Sequence, residues 1–194
     1  MSCAARGMLR SWLTLEVCCR MAVMDIVLYP DEPLLRKATP YESVGPEMPK
    51  LVEDMLETMH HYEGVGLAGP QVGLAKRIFV WCEGEGEPGH IINPELSGFE
   101  GREEKEEGCL SMPRLYHAVP RATRVLVRGV DCRGNEVSFE AKDFLARIMQ
   151  HENDHLDGIL FPDRLDIITR ETLMAQWDEI RKEIMAGQAG HRAF

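Results

Sequence analysis

The feature that most constrains this chain is Gln150-His151-Glu152-Asn153-Asp154-His155, set within residues 142–158. Phe144, Leu145, Ile148, Met149 and Leu156 recur there at roughly helical spacing, and Gly158 followed by Pro162 supplies a stop. The spacing predicts an amphipathic helix with His151 and His155 one turn apart. Two imidazoles at i and i+4 share one face and can close on a single metal ion, while Glu152 can reach a water at that ion. This is the arrangement of metal-assisted hydrolysis. The alternative is a surface helix that carries two histidines by chance.

The rest of the chain reads as α+β: antiparallel or mixed sheets packed around a central metal-binding helix, with a C-terminal helix. At 194 residues it suits one domain with a sizeable core. A formal charge of −10 argues against tight nonspecific binding to DNA or to an anionic membrane. No apolar run approaches the roughly 20 residues of a membrane span. The cysteines, Cys3, Cys18, Cys19, Cys82, Cys109 and Cys132, are unevenly spaced in a chain too long to need disulfide stapling, which fits a reducing compartment such as the cytoplasm.

Residues 1–20 are read as an extension and 21–194 as a single catalytic domain. The extension is either a basic or disordered arm, with an organellar address as one version, or sequence upstream of a start at Met21 or Met24. The second is preferred, because globular patterning begins only at Asp25.

Ile26–Tyr29 reads as a short strand closed by Pro30 and Pro33. Lys50–His61, with Leu51, Val52, Met55, Leu56 and Met59 on one face and Pro49 at its start, is a helix. His60 and His61 then fall at its C-terminal end, where the dipole favours them. Gly64-Val65-Gly66-Leu67-Ala68-Gly69 spells the pattern of a dinucleotide-binding turn, but it follows a helix, and Pro70 cannot propagate another. Its glycines instead imply close approach by other backbone, and Gln71 beside them can point an amide into a cleft. Arg77–Cys82 is a buried strand, Glu83–Gly89 an acidic turn, and a strand from His90 is broken by Asn93-Pro94. Glu103–Glu107 reads as a solvated face. Arg124–Arg128 and Glu136–Glu140 form a hairpin, with Cys132 as an exposed thiol near its tip. Phe161–Ile168 reads as extended, and Thr169–Met185 as a terminal helix carrying Leu173, Met174, Trp177, Ile180 and Ile184, beyond which the chain frays.

Two histidines do not complete a catalytic site, which needs a third protein ligand and one open position. In the extended peptidase pattern that ligand would fall at Phe161, which cannot coordinate; Asp163, Asp166 and Glu171 stand in no recognisable context. Cys109, beside Gly108, is the strongest remaining candidate. A lone cysteine is more often a small buried hydrophobe.

Gly64–Gln71, Glu107–Ser111 and His151–His155, in this order and at these separations, closely resemble the motifs of peptide deformylase over about residues 24–164. The resemblance implies a metallohydrolase that removes the N-formyl group from formyl-methionyl nascent peptides. It implies Cys109, His151 and His155 as metal ligands, Glu152 as the proton-transferring carboxylate, and Gln71 with the Leu110 N–H as oxyanion donors. Gly66 matches the glycine whose backbone pairs with the substrate, and ferrous iron is the implied metal, with zinc, nickel or cobalt able to replace it. Val65, Phe144, Leu145 and Ile148 are candidates for the slot that accepts the methionine side chain, with core packing the competing role for the last three. Gly69 and Asn153 depart from the usual motifs without removing a reacting group. The rival functions are a His-Glu-x-x-His metallopeptidase and a non-catalytic metal-binding module. Arg170, Arg181, Lys182 and Arg192 suggest docking near the ribosomal exit, with truncation after Ile168 expected to spare peptide turnover.

Overall fold

A computed structural model describes residues 23–84 and 86–188. The reading of residues 1–20, and of the chain beyond 188, lies outside the described residues. Helix α1 (Met48–His61) is followed by β1 (Gly66–Ala68), β2 (Ile78–Trp81) and β3 (Gly89–Glu100), then by β4 (Glu103–Cys109), β5 (Met112–Arg121), β6 (Arg124–Val130) and β7 (Glu136–Lys142). Helices α2 (Asp143–Leu156) and α3 (Ile167–Gln188) complete this α+β chain. One antiparallel sheet has the order β1-β2-β3-β6-β7, and β4 and β5 form a separate two-stranded ribbon.

The run Ile78-Phe79-Val80 is apolar without a break because both faces of its sheet are covered. Ile78 and Val80 point to one face, with Leu67 and Ile92, against Met48, Val52, Met55 and Met59 of α1. Phe79 points to the other, with Ile91, Val125 and Val127, against Ala146, Ile148 and Met149 of α2. The sheet is therefore sandwiched between α1 and α2, and α2 turns its apolar side to it. A third cluster joins Met112, Leu115 and Val119 of β5 to Leu160, Phe161 and, on α3, Leu173 and Trp177. The Trp177 indole N–H donates to the Tyr29 carbonyl at 3.1 Å.

Several expectations are corrected. Ile26–Tyr29 joins no sheet: the Val27 N–H donates to the Gln71 carbonyl at 2.8 Å and the Tyr29 N–H to the Ser111 carbonyl at 3.0 Å, so the segment straps two loops instead of pairing with one strand. Asn93-Pro94 does not end β3 but interrupts its register with β6. Asn93 has φ of +51°, and its side chain exchanges two 2.9 Å hydrogen bonds with the Tyr41 backbone, which hold that conformation. Phe161–Arg164 is a 3-10 turn and α3 begins at Ile167, so the stretch read as extended is largely helical. Cys132 is half-buried against the α1 cluster.

Candidate metal centre and substrate cleft

The fold brings α2 to the ribbon. Cys109, the last residue of β4, sits where a register shift opens the ladder, and its Sγ lies 3.2 Å from His155 Nε2. One donor atom each from Cys109, His151 and His155 fall within 4.8 Å of one another. A thiolate and two imidazoles at this separation suit a tetrahedral divalent ion with one open position. Glu152, on the turn of α2 between the histidines, is buried, and its Oε2 has no hydrogen-bond partner. A buried carboxylate oxygen without a partner, next to three converging ligand atoms, is what a hydrolytic metal site requires and what a structural one does not.

Electrostatics separates the two histidines. Burial alone would push Glu107 up, but hydrogen bonds and charge from His151 and Arg121 hold its carboxyl well below the usual range. Ionised Glu107 accepts from His151 Nδ1 at 2.9 Å, which turns Nε2 towards the cleft. In the ion-free protein, burial lowers the His151 proton affinity, but bonds to Cys109 and Glu107 more than reverse this and raise it well above the ordinary value. His155, buried and facing the His151 and Arg121 charges, is held well below it and is neutral. The proton that His151 retains is the one an incoming cation displaces. Glu152 is pushed up to about 7 by burial, against the pull of the His151 charge.

Behind these groups lies a network that the sequence reading missed. Arg121 holds both Glu107 oxygens, at 2.9 and 3.0 Å, and reaches Asp154 at 2.5 Å. Arg147 donates to Glu107 at 2.7 Å and to the Val119 carbonyl at 2.8 Å, and Arg164 closes on Asp154 from outside. Glu107, Arg121, Arg147 and Asp154 are all buried. Glu107 is therefore no part of a solvated face: along β4, Glu104 and Glu106 are exposed and Glu107 points inward. The available signal was the position of Glu107 two residues before the cysteine; nothing local marked its arginine partners.

The cleft, about 570 Å³, is lined by Val65, Gly66, Gln71, Cys109, Leu110, Phe144, Ile148, His151 and Glu152, among others. Leu145 is not among its lining residues and packs instead against the sheet cluster. Gln71 is anchored, since the Ala68 N–H donates to its Oε1 at 2.7 Å, which leaves Nε2 pointing at Cys109 Sγ, 3.5 Å away. A Cβ at Gly66 would stand 2.2 Å from Glu152 Oε1, so only glycine lets this strand run so close to that carboxylate. Phe161, where a peptidase's third histidine would fall, is buried in the α3 cluster.

A sheet-backed helix with two histidines and a carboxylate, completed by a thiolate from a neighbouring ribbon, defines a mononuclear metallohydrolase. Residues 23–171 match the sequence profile of the polypeptide deformylase family. The peptide deformylase of Thermodesulfovibrio yellowstonii is 43% identical over 155 residues, 78% of this chain and 94% of that one. The crystal structure of the Thermus thermophilus peptide deformylase superposes with a TM-score of 0.78 at 44% identity, covering 83% of this chain and 99% of that one. The Legionella pneumophila peptide deformylase gives 0.79 at 36% identity, over 88% and 99%. The chain belongs to the polypeptide deformylase family, hydrolases that release formate from N-formylated polypeptides. Among the described residues no helix is long and apolar enough to cross a membrane.

Proposed function

We propose that Cys109, His151 and His155 hold one divalent ion, that Glu152 moves the proton, and that the substrate is the formyl-methionine terminus of a new polypeptide. When bound, the ion would polarise the formyl carbonyl and lower the pKa of a water towards about 7. The remaining steps belong to the protein. Glu152, buried yet unpartnered at Oε2, accepts the proton of the attacking water and returns it to the departing amine. Gln71 Nε2 and the Leu110 N–H donate to the oxygen that gains charge in the tetrahedral transition state. The Gly66 backbone pairs with the peptide as an added strand. Val65 and Phe144, both apolar and well exposed, and Ile148 form the slot for the methionine side chain.

The observation that carries this reading is the approach of three ligand atoms beside an unpartnered buried carboxylate. The test is anaerobic formate release from a formyl-Met peptide by ferrous wild type and by Glu152→Ala with equal metal content. Release by the wild type and near-silence in the variant are expected. No release by the fully metallated wild type, with cleavage of unformylated peptides instead, would restore the peptidase reading.

Ferrous iron is the metal this reading assigns, with zinc, nickel and cobalt as replacements that the soft thiolate and two imidazoles also accept; elemental analysis after anaerobic purification decides among them. The reaction is placed in the cytoplasm, with an organellar address in residues 1–20 as the alternative. Docking to the ribosome through α3 would rest on Arg170, Arg181 and Lys182. Arg170 and Lys182 each pair with a carboxylate, and α3 carries three basic and four acidic side chains. Truncation after Ile168 is not a clean test, because it strips Leu173 and Trp177 from the core. Arg181→Ala with Lys182→Ala should lower ribosome co-sedimentation; unchanged co-sedimentation retires the docking.

A further inference from the structure

A second cavity, about 340 Å³, opens on another side of α2 and shares no lining residue with the catalytic cleft. Leu96 and Phe99 of β3 give it apolar surface, and its charged groups are Arg102, Arg121, Arg164 and Asp154. Three guanidiniums thus meet one carboxylate. The imbalance extends beneath the cavity: in the network behind the metal centre, Arg121, Arg147 and Arg164 share only Glu107 and Asp154, so one cation is left over. Burying unbalanced charge is costly, and the excess emerges where water reaches it. Arg121 and Asp154 are buried, whereas the Arg164 side chain is 44% exposed.

The polar groups around the cavity are not equally committed. The Gln150 amide is spent on the Ala122 and Ala146 backbone, and Asn153 on Arg77 and Asp157. Arg121 turns all three nitrogens to Glu107 and Asp154. Arg164, in the 3-10 turn after α2, gives Nε and Nη2 to Asp154, which leaves Nη1 open. Arg102, exposed just before β4, enters no ion pair or side-chain hydrogen bond among the described residues. One free guanidinium and one open nitrogen, from separate elements, therefore line the same solvent-open space. A tetrahedral oxyanion accepts from two such groups at once. With a chain charge of −10 the overall field repels anions, so only local groups can hold one. We propose that this cavity is a phosphate-binding site, with Arg102 and Arg164 as its donors and with room beside Leu96 and Phe99 for an organic substituent. The site stands whatever substrate the catalytic cleft takes.

The experiment is a titration of isotope-labelled, zinc-loaded protein with inorganic phosphate at low salt, followed by NMR through the side-chain amides. Gln150 and Asn153 report this cavity, and Gln71 reports the catalytic cleft, where phosphate would meet the metal. Saturable shifts at Gln150 and Asn153 are expected at millimolar phosphate, weakening as chloride is added. Arg102→Ala should weaken binding about fivefold, the upper end for an exposed ion pair, and Arg102→Glu should abolish it. Neither substitution removes a contact that the fold uses, so both proteins should remain folded. Phenyl phosphate distinguishes the source of the anion: tighter binding than inorganic phosphate, with shifts at Phe99, assigns a phosphorylated organic molecule, and equal binding assigns the free ion. Shifts confined to Gln71, or an affinity at Gln150 and Asn153 that Arg102→Glu leaves unchanged, overturn the proposal.

Discussion

Glu107 Oε2 stands 2.9 Å from His151 Nδ1, joining the inward edge of β4 to the helix that carries the histidines. Glu107 also neutralises two buried guanidiniums, Arg121 and Arg147. Replacing it by alanine leaves Arg147 without a carboxylate and Arg121 with Asp154 alone, and breaking such a buried pair typically costs about 3–5 kcal/mol. It also frees the His151 ring, which should weaken metal affinity by about 10- to 100-fold. Chemical denaturation and competition with a metal chelator read the two effects. Wild-type metal affinity in a folded Glu107→Ala would show that the contact does not orient the ligand.

Gly66→Ala tests the closeness of β1 to the carboxylate. The added methyl would fall 2.2 Å from Glu152 Oε1, and the flexible end of that side chain is what gives way. Turnover should fall by an order of magnitude or more in kcat, while thermal stability changes little. A fully active Gly66→Ala protein would contradict the placement of Glu152.

Gln71→Ala removes a donor whose orientation is set by the Ala68 N–H. Loss of one such donor typically costs about 3 kcal/mol in the transition state, so kcat should drop by roughly two orders of magnitude with metal content unchanged. An equal fall in metal content would assign Gln71 to ligand support instead.

The pH dependence has two parts with the same sign. Glu152, pushed up to about 7 without an ion, must be ionised to accept a proton, so activity falls as pH falls. A nearby cation favours the ionised form, which sets the acid break in kcat/KM at or below about 7 in metallated protein. His151 is raised in the ion-free protein, so acid also favours exchange of metal for proton. Metal retention measured across the same series separates the two; an acid break well above 7 with metal retained would exclude Glu152 as the base.

Trp177→Ala tests the anchoring of α3. Trp177 is buried and carries a hydrogen bond to Tyr29, so the loss should be about 3–5 kcal/mol, seen as a lower urea midpoint. A loss below about 1 kcal/mol would mean that α3 rests on the domain without being part of its core.

Much of the site was legible because it is local. A helix puts His151, Glu152 and His155 together by its own periodicity, whatever the rest of the chain does. The unbroken apolar run at β2 likewise announced a sheet covered on both faces. Glu107 was misread for the complementary reason. Inside Glu103-Glu104-Lys105-Glu106-Glu107 nothing local tells a solvated carboxylate from a buried one, and the distinction depends on Arg121 and Arg147, far along the chain. Asn93-Pro94 reads locally as the end of a strand because the Tyr41 backbone that holds Asn93 within β3 comes from another segment.

What the chain determined by itself, then, was its periodic and reactive content: the α2 helix, the pairing of its histidines, the glycine-rich approach before Gln71, and the hairpin of β6 and β7. Tertiary structure alone decided which carboxylate is buried, how Cys109 reaches His155, and that Leu145 belongs to the core and Phe144 to the cleft. The division follows from range. Short-range spacing is encoded in neighbouring residues, whereas burial and charge pairing depend on groups that meet only after the sheet, the ribbon and the helices have packed.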